Sequence, residues 1–438
     1  MILIMLTARL RIIQSPLESR PIVRMSHLSI ERVKEGPVDG ISVHSPTGVI
    51  EGEPGRPTLE AVDFNRSPFI VIWELTRACA LACVHCRAEA VPRRDPRELT
   101  TAEGIQLIEA VERFGRPAPL LVFTGGDPLR RPDVYDLISA GADRGLRMAL
   151  TPSGTAAVKR EKVSRLKASG LARLAVSLDG STASIHDAFR RVRGSYDWTM
   201  RTLDYAREAG LPIQINTTVT RYNRTDLYAM AEQLSHMGIV LWSVFFLVPV
   251  GRGRPEDGVS AQAYEEILND LYDLSRVVSF GIKTTEAPHY RRIVQERPRG
   301  IQRDGRGGGT AAKLSGAEEN PREQFGFHLD AIGRAPKGVN DGNGFVFVDH
   351  FGNVSPSGFL PLVAGNVRTD DLAGVYRHHP VFRELRDPDT LGGTCGRCEF
   401  RSLCGGSRAR AYAMSGDYLG EEPCCLYEPA EAPHEVEA

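Results

Sequence analysis

Residues 69–86 read FIVIWELTRACALACVHC. The apolar, β-branched run 69–75 reads as a strand, and Cys79, Cys83 and Cys86 follow directly at its carboxyl end. In parallel α/β folds, chemistry concentrates at that edge of the sheet. Three thiolates from one short loop can hold three irons of a cubane cluster and leave the fourth iron open. An open position is what a metal site keeps when it must bind a substrate or cofactor. The alternative is a zinc site that borrows a fourth ligand, with His85 inside the triplet as the nearest candidate.

Working outward, further apolar runs at 120–124, 147–151, 174–178, 213–219 and 241–247 predict strands. Amphipathic stretches at 102–114, 133–144, 160–169, 197–209 and 225–237 predict helices between them, several stopped by a glycine: Gly115, Gly145, Gly170, Gly210 and Gly238. Strands alternating with helices imply a parallel sheet, because each parallel connection needs a crossover. Periodicity alone leaves an open sheet and a partial barrel both possible. Past Val278 the pattern degrades, and residues 297–321, with Gly305, Gly307, Gly308 and Gly309, read as a linker or insertion. Residues 345–349 and 353–355 then read as a short β-hairpin.

The chain has 438 residues, 42% hydrophobic and 25% charged, which suits a globular protein of about three domain-sized units. Lys plus Arg total 54 against 55 Asp plus Glu, a formal net charge of −1, so no basic field invites nucleic acid or anionic membrane. The apolar start at Met1 is broken by Arg9 and Arg11, too early for a secretory segment, and no stretch approaches the ~20 apolar residues of a membrane span. A cytoplasmic location is expected, with Met25 as a second possible start.

The eight cysteines are clustered: three in the first loop, and Cys395, Cys398, Cys404, Cys424 and Cys425 late in the chain. Without a secretory signal, such clustering favours metal ligation over disulfides.

These residues resemble the radical S-adenosylmethionine superfamily. Its signature loop is matched by Cys79, Cys83 and Cys86. Thr124-Gly125-Gly126-Asp127-Pro128, after the second strand, is similar to its Gly-Gly-Glu-Pro motif, with Asp127 replacing the glutamate. Ser177-Leu178-Asp179-Gly180, Asn216-Thr217-Thr218 and Pro249-Val250-Gly251-Arg252-Gly253 resemble cofactor-side segments at later strand ends. Over residues 65–285 the resemblance implies a partial (β/α)6 barrel. It also implies a 4Fe-4S cluster on the three early cysteines, and S-adenosylmethionine held near Gly125, Gly126, Asp127, Ser177, Asp179 and Asn216. Paired glycines would let the backbone approach the methionyl ammonium, which a carboxylate also suits.

The five late cysteines resemble the SPASM extension, a small cysteine-rich α+β domain holding auxiliary clusters. Five thiols, with Ser355-Pro356-Ser357-Gly358 where many relatives have a cysteine, imply one auxiliary 4Fe-4S cluster and leave Cys424 and Cys425 equal candidates for its last ligand. A zinc knuckle is the alternative. The implied division is 1–64 as an N-terminal extension, 65–296 as the core barrel, 297–325 as linker or insertion, 326–428 as the auxiliary domain and 429–438 as an acidic tail.

Residues 356–361 and 404–418 narrow the resemblance to enzymes of haem and modified-haem biosynthesis, where Arg408 and Arg410 would suit propionate carboxylates; the bland reading pairs them with nearby acids. The expected activity is reductive cleavage of S-adenosylmethionine to a 5′-deoxyadenosyl radical, hydrogen abstraction, and oxidative decarboxylation of a tetrapyrrole propionate. A flavodoxin or ferredoxin would supply electrons. One alternative is a maturase acting on a ribosomal precursor peptide; another is a non-catalytic iron–sulfur or zinc protein. No catalytic side chain is assigned, and His186, His289, His328 and His350 read as isolated.

Overall fold

Strand β1 (Ile70–Glu74) sets the architecture of the computed structural model, which describes residues 62–297 and 338–430. Its side chains alternate as a strand requires. Val71 and Trp73 are fully buried on one face, while Ile70 and Ile72 are half-buried on the other. β2 (Leu120–Thr124), β3 (Arg147–Leu150), β4 (Leu171–Ser177) and β6 (Leu241–Phe246) are buried over most of their length, whereas β5 (Ile213–Val219) alternates. In β5 the alternation is complete: Ile213, Ile215, Thr217 and Val219 are buried, and Gln214, Asn216 and Thr218 face the half-open side.

Helices cover the buried face. They are α1 (Thr101–Glu112), α2 (Val134–Asp143), α3 (Arg160–Ala168), α4 (Ala183–Arg190), α5 (Ser195–Glu208), α6 (Leu227–Ser235) and α7 (Ala261–Val277). Thr100 and Glu103 form a capping box that fixes the start of α1. Leu107, Ile108 and Val111 of α1 and Leu137 and Ile138 of α2 pack with Val71, Trp73, Leu121 and Phe123. Each such fully buried aliphatic or Phe side chain contributes about 1.5–3 kcal/mol.

All neighbouring pairs from β1 to β6 are parallel, as expected, and β7 (Gly281–Thr285) adds a further parallel strand beyond β6. Short α8 (Tyr290–Glu296) follows it. After residue 337 the chain returns to the other edge. β8 (Phe345–Val348) pairs parallel with β1, and β9 (Asn353–Ser355) and β10 (Gly365–Asn366) extend the sheet antiparallel. The hairpin expected from sequence is therefore a continuation of the barrel sheet, ten strands in the order β10-β9-β8-β1-β2-β3-β4-β5-β6-β7. His350, in the β8–β9 turn, reaches back to Glu74 at 2.7 Å.

The chain ends with α9 (Leu372–His378), α10 (Pro380–Arg386), the cysteine-bearing turn α11 (Gly393–Arg397) and α12 (Arg408–Ser415). The expectations for residues 1–61, most of the linker, His328 and the acidic tail beyond 430 fall outside the described residues. No described helix is long and apolar enough to cross a membrane.

Candidate functional site

The carboxyl ends of the parallel strands surround a cavity of ≈ 200 Å³. The loop after β1 brings all three early cysteines to it, with Cys79 and Cys83 buried and Cys86 half-buried. Each sulfur has a polar neighbour. The Cys79 thiol lies 3.2 Å from Ser153 Oγ and accepts from the Leu81 amide at 3.3 Å. The Ala90 amide donates to Cys86 Sγ at 3.4 Å, and Arg190 Nη1 donates to Cys83 Sγ at 3.5 Å. Burial pushes the Cys79 thiol up, while Ser153 and the Leu81 amide pull against it.

Of the six residues expected on the cofactor side, Gly125, Gly126, Ser177 and Asn216 line this cavity and Asp127 and Asp179 do not. Asp127, 1% exposed, turns back to accept from the amides of Leu129 and Ser153 at 3.3 and 3.4 Å. Asp179 is fully buried, accepts from the Thr218 amide at 2.8 Å and forms an ion pair with Arg190. Both carboxylates hold loops in place from behind. A side chain at a strand end follows the local turn, and here both turns carry the carboxylate onto neighbouring loop amides.

The glycine pair also packs against the loop that carries the cysteines. A Cβ on Gly125 would lie 2.3 Å from the Thr76 carbonyl oxygen, and one on Gly126 would lie 2.5 Å from that of Arg77. The Gly126 and Asp127 amides donate to Thr76 and Ala78 carbonyls, both at 2.7 Å. The pair lets the β2 loop lie flat against the backbone that launches the cysteine loop. From the other side, the segment after β6 clamps the same loop. Arg252 donates through its amide to Cys86 O at 3.1 Å, and through its guanidinium to Cys83 O at 3.0 Å and Ala90 O at 3.3 Å. Its remaining Nη2 is buried with no partner among the described residues, and the side chain borders the cavity.

Ser153, Thr218, Arg190 and Phe359 also line the cavity. Phe359 belongs to residues 356–361, so that stretch walls the first cavity, with Arg87 Nη1 bonded to Gly358 O at 3.4 Å. The sequence carried no separate signal for Ser153 or Arg190, because their partners are distant in the chain.

A second cavity of ≈ 140 Å³ gathers Cys395, Cys398, Cys404 and Cys425, with His289, Arg292, Glu422 and Tyr427. Cys424 is turned away: it bonds with Tyr264 and Arg410 and packs on the barrel core. Gly406 and Glu422 amides donate to Cys404 and Cys395 sulfurs, each at 3.4 Å. Burial pushes the Cys404 thiol up to about 12 and that of Cys425 to about 11. Thiols so placed ionise only with a cation to bind.

Arg408 and Arg410 follow the bland reading. Arg410 is buried and paired with Glu422 at 2.8 Å, and Arg408 donates to the Gly420 and Tyr418 carbonyls at 2.6 and 3.2 Å. Both bond within the cysteine-rich segment, Arg408 also donating to Cys395 Sγ at 3.7 Å, and neither lines either of these two cavities.

A column of rings joins the two cavities. Phe246 borders the first, Tyr264 lies 4.6 Å behind it, and His289, 5.7 Å further, borders the second. All three are buried.

Residues 73–234 match the Radical SAM superfamily. The chain is 42% identical over 377 residues to a protein of Nitratidesulfovibrio vulgaris named AdoMet-dependent heme synthase, covering 86% of this chain and 96% of that one. It is 40% identical over 368 residues to the protein of the same name from Methanosarcina barkeri, covering 84% and 99%. A protein of Dinoroseobacter shibae named Pre-heme d1 synthase is 29% identical over 371 residues, covering 83% and 87%. Among solved structures, Streptococcus suis SuiB bound to S-adenosylmethionine superposes with a TM-score of 0.61 at 16% identity, covering 83% of this chain and 78% of that one. At that identity the likeness concerns the fold.

Proposed function

The chain belongs to the radical S-adenosylmethionine superfamily, and from that premise we propose that it is an oxidative decarboxylase of tetrapyrrole propionates in haem formation. When bound, a 4Fe-4S cluster and S-adenosylmethionine supply a 5′-deoxyadenosyl radical for hydrogen abstraction. Cys79, Cys83 and Cys86 are the residues to hold that cluster. Their sulfurs sit among amide and guanidinium donors. The backbone of Gly125 and Gly126, with Ser177 and Asn216, forms the wall for the cofactor's methionyl and ribose parts. The orphaned Nη2 of Arg252 offers a charged donor to a carboxylate in the cavity. Phe245, Phe246 and Phe359 exclude water from the same space.

The observation that carries the oxidative reading is the second cavity. Turning a propionate into a vinyl group removes one hydrogen atom, one CO2 and one electron, so the protein needs somewhere to deliver that electron. Cys395, Cys398, Cys404 and Cys425 are the residues to hold an auxiliary cluster for it. No three His, Cys, Asp or Glu side chains among the described residues close on a single metal ion. The thiols ring two cavities instead, which suits a cluster in which each thiolate takes its own iron. The eight cysteines are free of disulfides, as befits the reducing cytoplasm, where a flavodoxin or ferredoxin serves as electron donor.

The test is anaerobic turnover of reconstituted protein with an iron porphyrin bearing propionates, S-adenosylmethionine and dithionite. Loss of the elements of formic acid from each reacting propionate, matched by 5′-deoxyadenosine, is expected. Formation of 5′-deoxyadenosine with every porphyrin left intact overturns the substrate assignment and favours a peptide substrate.

A further inference from the structure

His289, on the wall of the second cavity, has a side chain whose chemistry the described residues leave unused. It is 1% exposed, and neither ring nitrogen has a hydrogen-bond partner among the described residues. A neutral imidazole carries one N–H donor and one acceptor, and leaving a buried donor unmade costs about 1–3 kcal/mol. The ring borders the space lined by Cys395, Cys398, Cys404 and Cys425. Tyr264, tilted 33° at 5.7 Å, supports one side of it and supplies no partner.

Arg292 repeats the pattern one helical turn on. Its terminal nitrogens are bound to Glu265 and Glu296 at 2.6 and 2.7 Å, yet its Nε is buried, partnerless and on the same wall. One wall of this cavity therefore carries two unsatisfied groups able to donate, and another carries four thiols. Whatever fills the space satisfies them best if it brings acceptor atoms of its own. The inorganic sulfides of an iron–sulfur cluster are such acceptors; a lone zinc ion brings none.

We propose that His289, with Arg292 beside it, donates a hydrogen bond to an inorganic sulfide of an iron–sulfur cluster held by these four cysteines, and that His289 thereby sets the cluster's reduction potential. The proposal rests on reading this cavity as the auxiliary cluster site. Hydrogen bonds to cluster sulfur favour the more electron-rich state and raise the potential. His289 is a positioning residue here, acting on the group through its N–H.

The experiment uses the full chain with Cys79, Cys83 and Cys86 all changed to Ala, so that only the second cavity can hold iron. In that background His289→Phe keeps a ring against Tyr264 and loses the donor, and His289→Gln keeps a donor. Iron content and the potentiometric titration of the electron paramagnetic resonance signal are the readouts. The expected result is full iron in both, with the reduction equilibrium lowered about tenfold in the Phe variant, about 59 mV for one electron, and restored in the Gln variant. If the Phe variant does not fold, His289→Met makes the same donor-free comparison. Full iron with an unmoved potential in the donor-free variant overturns the proposal alone. So does an equal shift in the Gln variant, which would trace the effect to packing. An iron-free parent background overturns it together with the auxiliary-cluster reading.

Discussion

Arg190 and Cys83 meet at 3.5 Å, guanidinium Nη1 to sulfur, both buried in the wall of the first cavity. The other end of Arg190 is paired with buried Asp179, and its carbonyl accepts the Ala82 amide at 3.4 Å. One side chain thus joins the end of α4, the turn after β4 and the cysteine loop. Burial raises the Asp179 carboxyl, and Arg190 is the charge that opposes it. Removing the arginine strands a buried carboxylate, a loss of about 3–5 kcal/mol. Arg190→Leu is expected to unfold at distinctly lower urea concentration, and Arg190→Leu with Asp179→Asn to recover much of the difference. Additive losses in that double-mutant cycle would show that the pair is not coupled.

Gly126 predicts a second loss, of geometry. An alanine Cβ there would lie 2.5 Å from Arg77 O and 2.6 Å from Ala78 O, both backbone atoms that cannot swing aside. Gly126→Ala must push the β2 loop off the cysteine loop. A displacement of that order at a reacting centre costs on the order of a hundredfold in rate. Gly115→Ala is the control: φ is +88°, so the substitution costs about 1–2 kcal/mol of backbone strain, but its Cβ meets nothing within 4 Å. Cleavage of S-adenosylmethionine should fall in the first variant and persist in the second; equal rates would remove the packing argument.

What could be read beforehand and what could not follow from how local each signal is. The first six strands announced themselves because each is a short apolar run beside a glycine-stopped helix, and the early cysteines because they share one loop. The parallel pairing of Phe345–Val348 with β1 could not be read, since its partner lies at the far end of the chain and a four-residue strand has no period to match. The loop bonds of Asp127 and Asp179 were hidden for a related reason: the motif gives their place at a strand end, but the turn decides which way the carboxylate points. Arg408 and Arg410 looked like ligands because Glu422 and the carbonyls they serve become neighbours only on folding. His289 gave no signal because its importance lies wholly in the cavity it borders.

Cys424 and Cys425, equal in sequence, are separated by orientation. Cys425 lines the second cavity, whereas Cys424 bonds with Tyr264 and Arg410 and packs against the barrel. Cys425→Ser is expected to bring iron in reconstituted protein from about eight atoms per chain to about four, as when one of two cubanes is lost. Cys424→Ala should retain the full content and cost about 1–2 kcal/mol of stability for its buried contacts. The reverse pattern of iron loss would exchange the two assignments.

The carboxyls of Glu286 and Asp341 make the last prediction, and its sign can be worked out. Glu286, at φ +57° just past β7, accepts from Ser407 Oγ at 2.5 Å, and Asp341 accepts from the Ala409 amide at 2.9 Å. The two bond to each other, joining the barrel to the cysteine-rich segment. Burial raises both, and for Glu286 the neighbouring Asp341 charge raises it further; Ser407 and Arg410 oppose without prevailing. The folded pair therefore keeps a proton that the unfolded chain gives up above the ordinary carboxylate range, about pH 4. Since the folded state binds more protons there, stability from this pair is full below that range and falls as pH rises toward the raised value. Glu286→Gln removes the titration and keeps a hydrogen-bonding amide. Urea unfolding of parent and variant from pH 5 to pH 8 should show the variant gaining on the parent, because groups away from this pair cancel in the difference and Asp341 loses the neighbouring carboxyl that shares its proton. A constant difference across that window would mean that the pair is already ionised, and Arg410, which also donates to the Glu286 carbonyl at 2.6 Å, would then be the group that holds its charge.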